Sequence, residues 1–88
     1  MNWICNLSNE TVKQLRRLPR DRQRLLYQAI EEMKEEPLRG DVRPIKSGKF
    51  QGCMRKRVGQ YRIIFSIDQS KHLVEIPAIL IRSENTYR

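Results

Sequence analysis

Carboxylates are scarce in this chain. Ten Asp and Glu stand against eighteen Lys and Arg in 88 residues, a formal charge of +8. A polyanion or an acidic protein is therefore the expected partner. Cysteine is nearly absent: Cys5 and Cys53 lie far apart with no CxxC spacing. Cys5 falls in the first apolar run and reads as a small core residue, so neither a disulfide nor a metal centre is expected. The single histidine, His72, stands among turn residues, and no cofactor is expected. No apolar run is long enough to cross a membrane. The first ten residues lack a basic region followed by an apolar stretch, so no signal peptide is read there. A cytoplasmic protein with reduced thiols is the expectation.

At this length the chain can build one small domain, residues 1–88, with a thin core. Its cations are not scattered. Arg55, Arg57 and Arg62 fall on two runs that read as consecutive strands, and the chain closes with Arg82, Tyr87 and Arg88. Side chains alternate along a strand, so Arg55 and Arg57 share a face while Lys56 points away. A hairpin of Cys53–Val58 and Tyr61–Ile67 would gather Arg55, Arg57 and Arg62 on one surface, with Arg82 from the next strand. Such a cluster repels itself unless solvent or a polyanion occupies it. An aromatic ring beside it adds a surface on which a base can stack.

The remaining elements follow from periodicity and punctuation. Trp3–Leu7 reads as a first strand. Ser8 or Asn9 offers an N-cap, and Val12, Leu15 and Leu18 give a short helix over Asn9–Leu18 that Pro19 ends. Asp21 is placed to cap a second helix to about Glu36, whose buried stripe is Leu26, Ile30 and Met33. The two-residue connection makes the helices an antiparallel hairpin. Residues 38–51 read as loop, punctuated by Gly40, Pro44 and Gly48, with Val42 and Ile45 as anchors. Gly59-Gln60 suits a type II′ turn. Leu73–Ile81 is the last strand, with a bulge or an unpaired side expected at Pro77. Trp3 and Tyr27 read as packing residues. The order strand, helix hairpin, three strands makes an α+β domain. Its small antiparallel sheet carries the helices on one face and leaves the other to the arginines.

This layout, with Val58-Gly59-Gln60-Tyr61-Arg62-Ile63-Ile64-Phe65 and the closing Arg82-Ser83-Glu84-Asn85-Thr86-Tyr87-Arg88, resembles the RelE/ParE toxins of bacterial type II toxin–antitoxin systems, over nearly the whole chain. The resemblance implies a β-α-α-β-β-β domain and an antitoxin partner in a hetero-oligomer. RelE-type members cleave mRNA in the ribosomal A site. ParE-type members inhibit DNA gyrase without cleaving nucleic acid. The basic and aromatic positions of RelE-type cleavage fall at Arg55, Arg57, Arg62, Arg82 and Tyr87. That implies the RelE branch, a metal-independent endoribonuclease whose partners include rRNA and mRNA. Arg55 and Arg57 stand where the best-known RelE-type toxins have lysines. Leu80-Ile81 stands where many members carry Gly-His.

RNA cleavage without a metal uses the 2′-OH as nucleophile. It needs a proton acceptor, stabilisation of the phosphorane, and a proton for the leaving 5′-oxygen. Arginine's planar fork suits the second task and is a poor base for the first. Lys46 and Lys49 on the preceding loop, or Glu84, are the candidate bases. A site with no strong protein base, relying on charge and alignment, stays open. Lys46, Lys49, Lys56 and Arg88 are the candidate RNA contacts, and Tyr87 a stacking platform. The run Arg16, Arg17, Arg20, Arg22, Arg24 on the helices is either a solvated face or a surface for rRNA or an acidic antitoxin segment.

Overall fold

A computed structural model of the chain describes residues 2–81. Seven elements follow one another: β1 (Ile4–Leu7), α1 (Asn9–Arg16), α2 (Arg20–Met33), β2 (Val42–Pro44), β3 (Met54–Val58), β4 (Tyr61–Asp68) and β5 (Leu73–Ile81). The strands form one sheet in the order β1-β5-β4-β3-β2. The β3–β4–β5 meander is antiparallel, as expected, and β2, which forms within the stretch read as loop, pairs antiparallel with β3. β1 pairs parallel with β5, so the α+β sheet is mixed. The strand β2, three residues long and ending in Pro44, lies at the edge of the sheet. A proline without an N–H is tolerated there.

Local chemistry sets the element ends. Ser8 caps α1, its hydroxyl accepting from Thr11 N–H at 3.1 Å. The N-cap of α2 is Pro19, with no side-chain cap; Asp21 stands in the first turn instead of capping. Pro19 pre-sets the backbone for helix entry, and Gln23 Nε2 returns to the Leu18 carbonyl at 2.8 Å. The β3–β4 hairpin closes at Gly59, whose φ is +60°, while Gln60 has no positive φ. That pair of signs fits the type II′ turn, which only glycine enters without strain at its first central residue. At Pro77 the β4–β5 register slips between Ile64 and Ser66, so Ile76 and Pro77 together oppose Phe65. This is the bulge expected from a proline inside a strand.

Both helices pack on one face. Leu15 of α1 and Leu26, Ile30 and Met33 of α2 are buried against Ile63, Phe65, Val74, Ile76 and Ile79. Each such side chain contributes about 1.5–3 kcal/mol through burial. Since β4 alternates, Tyr61, Ile63 and Phe65 face the helices while Arg62 and Ile64 face the other way. Trp3 packs at the rim of the core, its ring 4.7 Å from the His72 ring. Tyr27, read as a packing residue, is 44% exposed.

Candidate functional site

The face of the sheet away from the helices carries two rungs of like charge. Arg43 of β2 stands directly opposite Arg55 of β3, and Arg57 of β3 directly opposite Arg62 of β4. Like charges directly opposite on a sheet are destabilising. Asp41 relieves one of them, 3.7 Å from Arg43. Among the described residues no carboxylate lies within ion-pair distance of Arg55 or Arg57. Arg55 and Arg57 thus present positive charge on this face with no ion-pair partner among the described residues, a charge that an anion can match.

The segment between β2 and β3 folds back over this face. Ile45 N–H donates to the Cys53 carbonyl at 2.9 Å, and Gly52 N–H to the Ile45 carbonyl at 3.1 Å. These bonds close a loop over residues 46–51, with Gly48 at φ +89° and Gly52 at φ +92°. The loop carries Lys46, Lys49 and Phe50 to the rim of a cleft of about 660 Å³. Arg43, Arg55 and Arg62 line the same cleft, and Ile64 and Leu80 are its apolar lining. Five cations and a half-buried phenyl ring surround it, and no carboxylate lines it among the described residues. Lys49 Nζ lies 5.5 Å from the Phe50 ring centroid, a cation–π distance.

The structure brings Arg55, Arg62, Lys46 and Lys49 together at one cleft. Arg57 stands beside it, exposed, on the rung it shares with Arg62. Lys56 does not belong. It is 6% exposed on the opposite face, and its Nζ donates to the Arg39 carbonyl at 3.2 Å. As an RNA contact Lys56 is thus corrected: strand alternation turns it toward the helix layer, where its stem packs and its ammonium holds a loop. Arg82, Glu84, Tyr87 and Arg88 lie outside the described residues. Sequence reasoning missed Arg43 and Phe50. Arg43 was hidden because β2 is too short for a periodic signal. Phe50 was hidden because a single aromatic in a Gly-punctuated stretch has no pattern at all.

Chemically, the cleft can hold phosphates between guanidinium forks and offer a ring to a base. Its titratable groups among the described residues are Lys46 and Lys49. His72 is held at the far end of β5 against Trp3, and Tyr61 is buried on the helix side. No group of three or more His, Cys, Asp or Glu is placed to hold a metal ion among the described residues. Cys5 and Cys53 are both free thiols. Burial pushes the Cys5 thiol up, as befits a small core residue. No helix of the described residues is long and apolar enough to cross a membrane.

Comparison with known proteins places this geometry in a family. No curated protein matches the chain. Among solved structures it is similar to the RelBE2 toxin–antitoxin complex of Mycobacterium tuberculosis, with a TM-score of 0.79 and 23% identity over 93% of this chain and 100% of that one. The RelE–RelB complex of Pyrococcus horikoshii gives 0.81 and 23%, over 96% and 99% of the two chains. The isolated E. coli RelE toxin gives 0.75 and 14%, over 96% and 88%. At these identities the likeness is one of fold. A family model, that of the ParE toxin of the type II toxin–antitoxin system parDE, matches residues 6–86. That match spans both helices, every strand from the end of β1 onward and the basic cleft, and with it the chain belongs to the RelE/ParE family of type II toxins.

Proposed function

We propose that this toxin is a RelE-like, ribosome-dependent endoribonuclease that cleaves mRNA in the A site and so blocks translation. The observation that carries the reading is the pair of rungs that set arginine opposite arginine, Arg43–Arg55 and Arg57–Arg62, beside a cleft rimmed by Lys46, Lys49 and Phe50. Arg62 and Arg82 stabilise the charge of the phosphorane. Arg55 and Arg57 hold the scissile and flanking phosphates, and Tyr87 stacks on a base. Each well-placed donor to that charge contributes on the order of 3–4 kcal/mol. Lys46 or Lys49 is within the cleft to accept the 2′-OH proton. A cognate antitoxin, as in the RelBE complexes of similar fold, neutralises the toxin by covering or distorting this face, since an acidic segment matches its charge.

The experiment is to induce the chain in cells and map mRNA 5′ ends. Cuts in register with the reading frame on translated messages support the reading. A second reading rests on the family match itself, which is to ParE toxins: a gyrase inhibitor that binds without catalysis. DNA damage with intact messages is its signature, and that outcome replaces the first reading.

A further inference from the structure

The loop at the rim of the cleft offers donors besides its side chains. The bonds that close it use the N–H groups of Ile45, Gln51, Gly52 and Cys53. The amides between them, from Lys46 to Phe50, donate to no group among the described residues. Gly48 turns the chain in their midst at φ +89°, and residues 46–49 are all exposed. Consecutive N–H groups on such a turn can form a concavity that binds anions.

The cleft sets this loop beside Arg43, Arg55 and Arg62, so that five cations line about 660 Å³. Asp41 stands 3.7 Å from Arg43. Lys46, Lys49 and Arg55 have no carboxylate at ion-pair distance among the described residues. An RNA strand brings one negative charge per nucleotide, spread along its length. A 5′-polyphosphate is denser: each inner phosphate carries one charge, and the terminal one about 1.5–2. It also brings a single base. Among the described lining residues there is a single aromatic ring, the half-buried Phe50, with Ile64 and Leu80 as apolar surface. The cleft is also of the size that encloses a small ligand, about 300–1,000 Å³.

We propose that the cleft binds a free nucleoside 5′-triphosphate, which competes with RNA for the site. Its phosphates lie on the loop amides, Arg43, Arg55 and Lys46, and its base lies against Phe50. The competition rests on the reading of the cleft as an RNA site, whereas the binding does not. A toxin occupied in this way is opened as the nucleotide supply falls.

The test is calorimetric titration of the full chain, without ribosomes. The probes are metal-free ATP, AMP, inorganic pyrophosphate and the unphosphorylated trinucleotide ApApA. ATP is expected to bind about tenfold or more tighter than each of the others. Phe50→Leu keeps apolar bulk and removes the ring. It should lower ATP affinity about tenfold and leave pyrophosphate unchanged. Arg55→Ser should lower both by about tenfold or more. Arg20→Ser/Arg24→Ser, on exposed residues of α2 outside the lining, removes more charge and should change neither by more than about twofold.

Pyrophosphate binding as tightly as ATP would show that the base is not held, and overturn the proposal. ApApA binding as tightly as ATP would do the same, marking a site for a strand alone. Losses in the α2 variant equal to those of Arg55→Ser would reduce the effect to net charge. Lys49→Gln, on the exposed loop, carries the charge test if Arg55→Ser does not fold, with a loss of about threefold or more expected. In-frame mRNA cuts without ATP binding overturn this inference and leave the proposed function standing. ATP binding without such cuts sustains the binding site and removes the proposed function.

Discussion

The side-chain carbonyl of Gln14 accepts a hydrogen bond from the backbone N–H of Ile79 at 2.7 Å, joining α1 to the far half of β5. β1 reaches only as far as Leu7, opposite Ile76, and Pro77 has no N–H to offer. Ile79 therefore has the first donor on that side of β5 with no strand beside it. A helix side chain substitutes for the absent ladder. Just upstream, Thr11 Oγ1 donates to the Ile76 carbonyl at 2.7 Å and Ser8 Oγ to the Pro77 carbonyl at 2.8 Å. The start of α1 is thus fastened to the bulge by polar bonds that the apolar pattern alone would not supply.

Gln14→Ala leaves the part-buried Ile79 N–H without that partner. The expected cost is about 1–3 kcal/mol in denaturant unfolding, the penalty of an unsatisfied donor. Gln14→Glu keeps an acceptor at the same reach and should lose less. Equal stability of Gln14→Ala and the parent would mean that water replaces the bond at no cost.

The long elements were legible because their signals are local. β4 and β5 alternate, α2 has its Leu26, Ile30, Met33 stripe, and Gly59 announces a turn. Pro77 announced its own bulge. Two features were not legible. The parallel pairing of β1 with β5 joins Cys5 to Val74 across most of the chain, and nothing in either segment names the other. β2 is three residues with a proline at its end, so Val42 reads only as an anchor. Losing β2 also lost Arg43, whose place in the cleft comes entirely from standing opposite Arg55. Arg55, Arg57 and Arg62 were legible as a cluster because strand parity alone puts them on one face. Lys56 followed the same parity to the other face.

The turn after β4 is held by Asp68, whose carboxylate accepts from Ser70 Oγ at 2.7 Å and from Lys71 N–H at 3.3 Å. The Ser70 hydroxyl, more than the Lys71 amide and charge, holds this carboxyl below the usual range. A carboxyl depressed in the fold contributes stability above its unfolded value of about 3.9, and loses it as pH falls through the lower folded value. Ser70→Ala should therefore move the Asp68 titration upward in a carboxyl-carbon NMR titration. An unmoved titration would leave the depression to the Lys71 amide and charge.

Lys56 buries an ammonium with the Arg39 carbonyl as its hydrogen-bond partner. Desolvating a charge for one neutral bond is unfavourable, and apolar replacements of similar shape are often neutral or stabilising. Lys56→Met keeps the packed stem and removes the charge. Its midpoint in thermal unfolding should equal or exceed the parent's, and RNA binding should not change, since the residue faces the helices. A loss of RNA affinity at unchanged stability would return Lys56 to the interface.

Arg62 and Arg55 share the cleft, and their substitutions separate charge from proton transfer. Arg62→Ala should lower single-turnover cleavage on ribosomes far more than ribosome binding, by about 10²–10³-fold if its guanidinium acts on the transition state. Equal losses in both would make it an anchor for RNA and nothing more. Arg55 is the complementary case. A guanidinium stays protonated at any working pH, so it can hold a phosphate and cannot accept the 2′-OH proton. Arg55→Lys keeps a positive charge at the same rung, opposite Arg43, and introduces a group that can titrate. If Lys46 or Lys49 already serves as the base, the swap removes a bidentate phosphate contact, and cleavage should fall at every pH. If the natural cleft works by charge and alignment with no strong base, the new lysine should raise the rate, and the gain should grow with pH as its ammonium deprotonates. The slope of rate against pH in Arg55→Lys, set beside the same profile for Lys46→Met and Lys49→Met, identifies which group takes the proton.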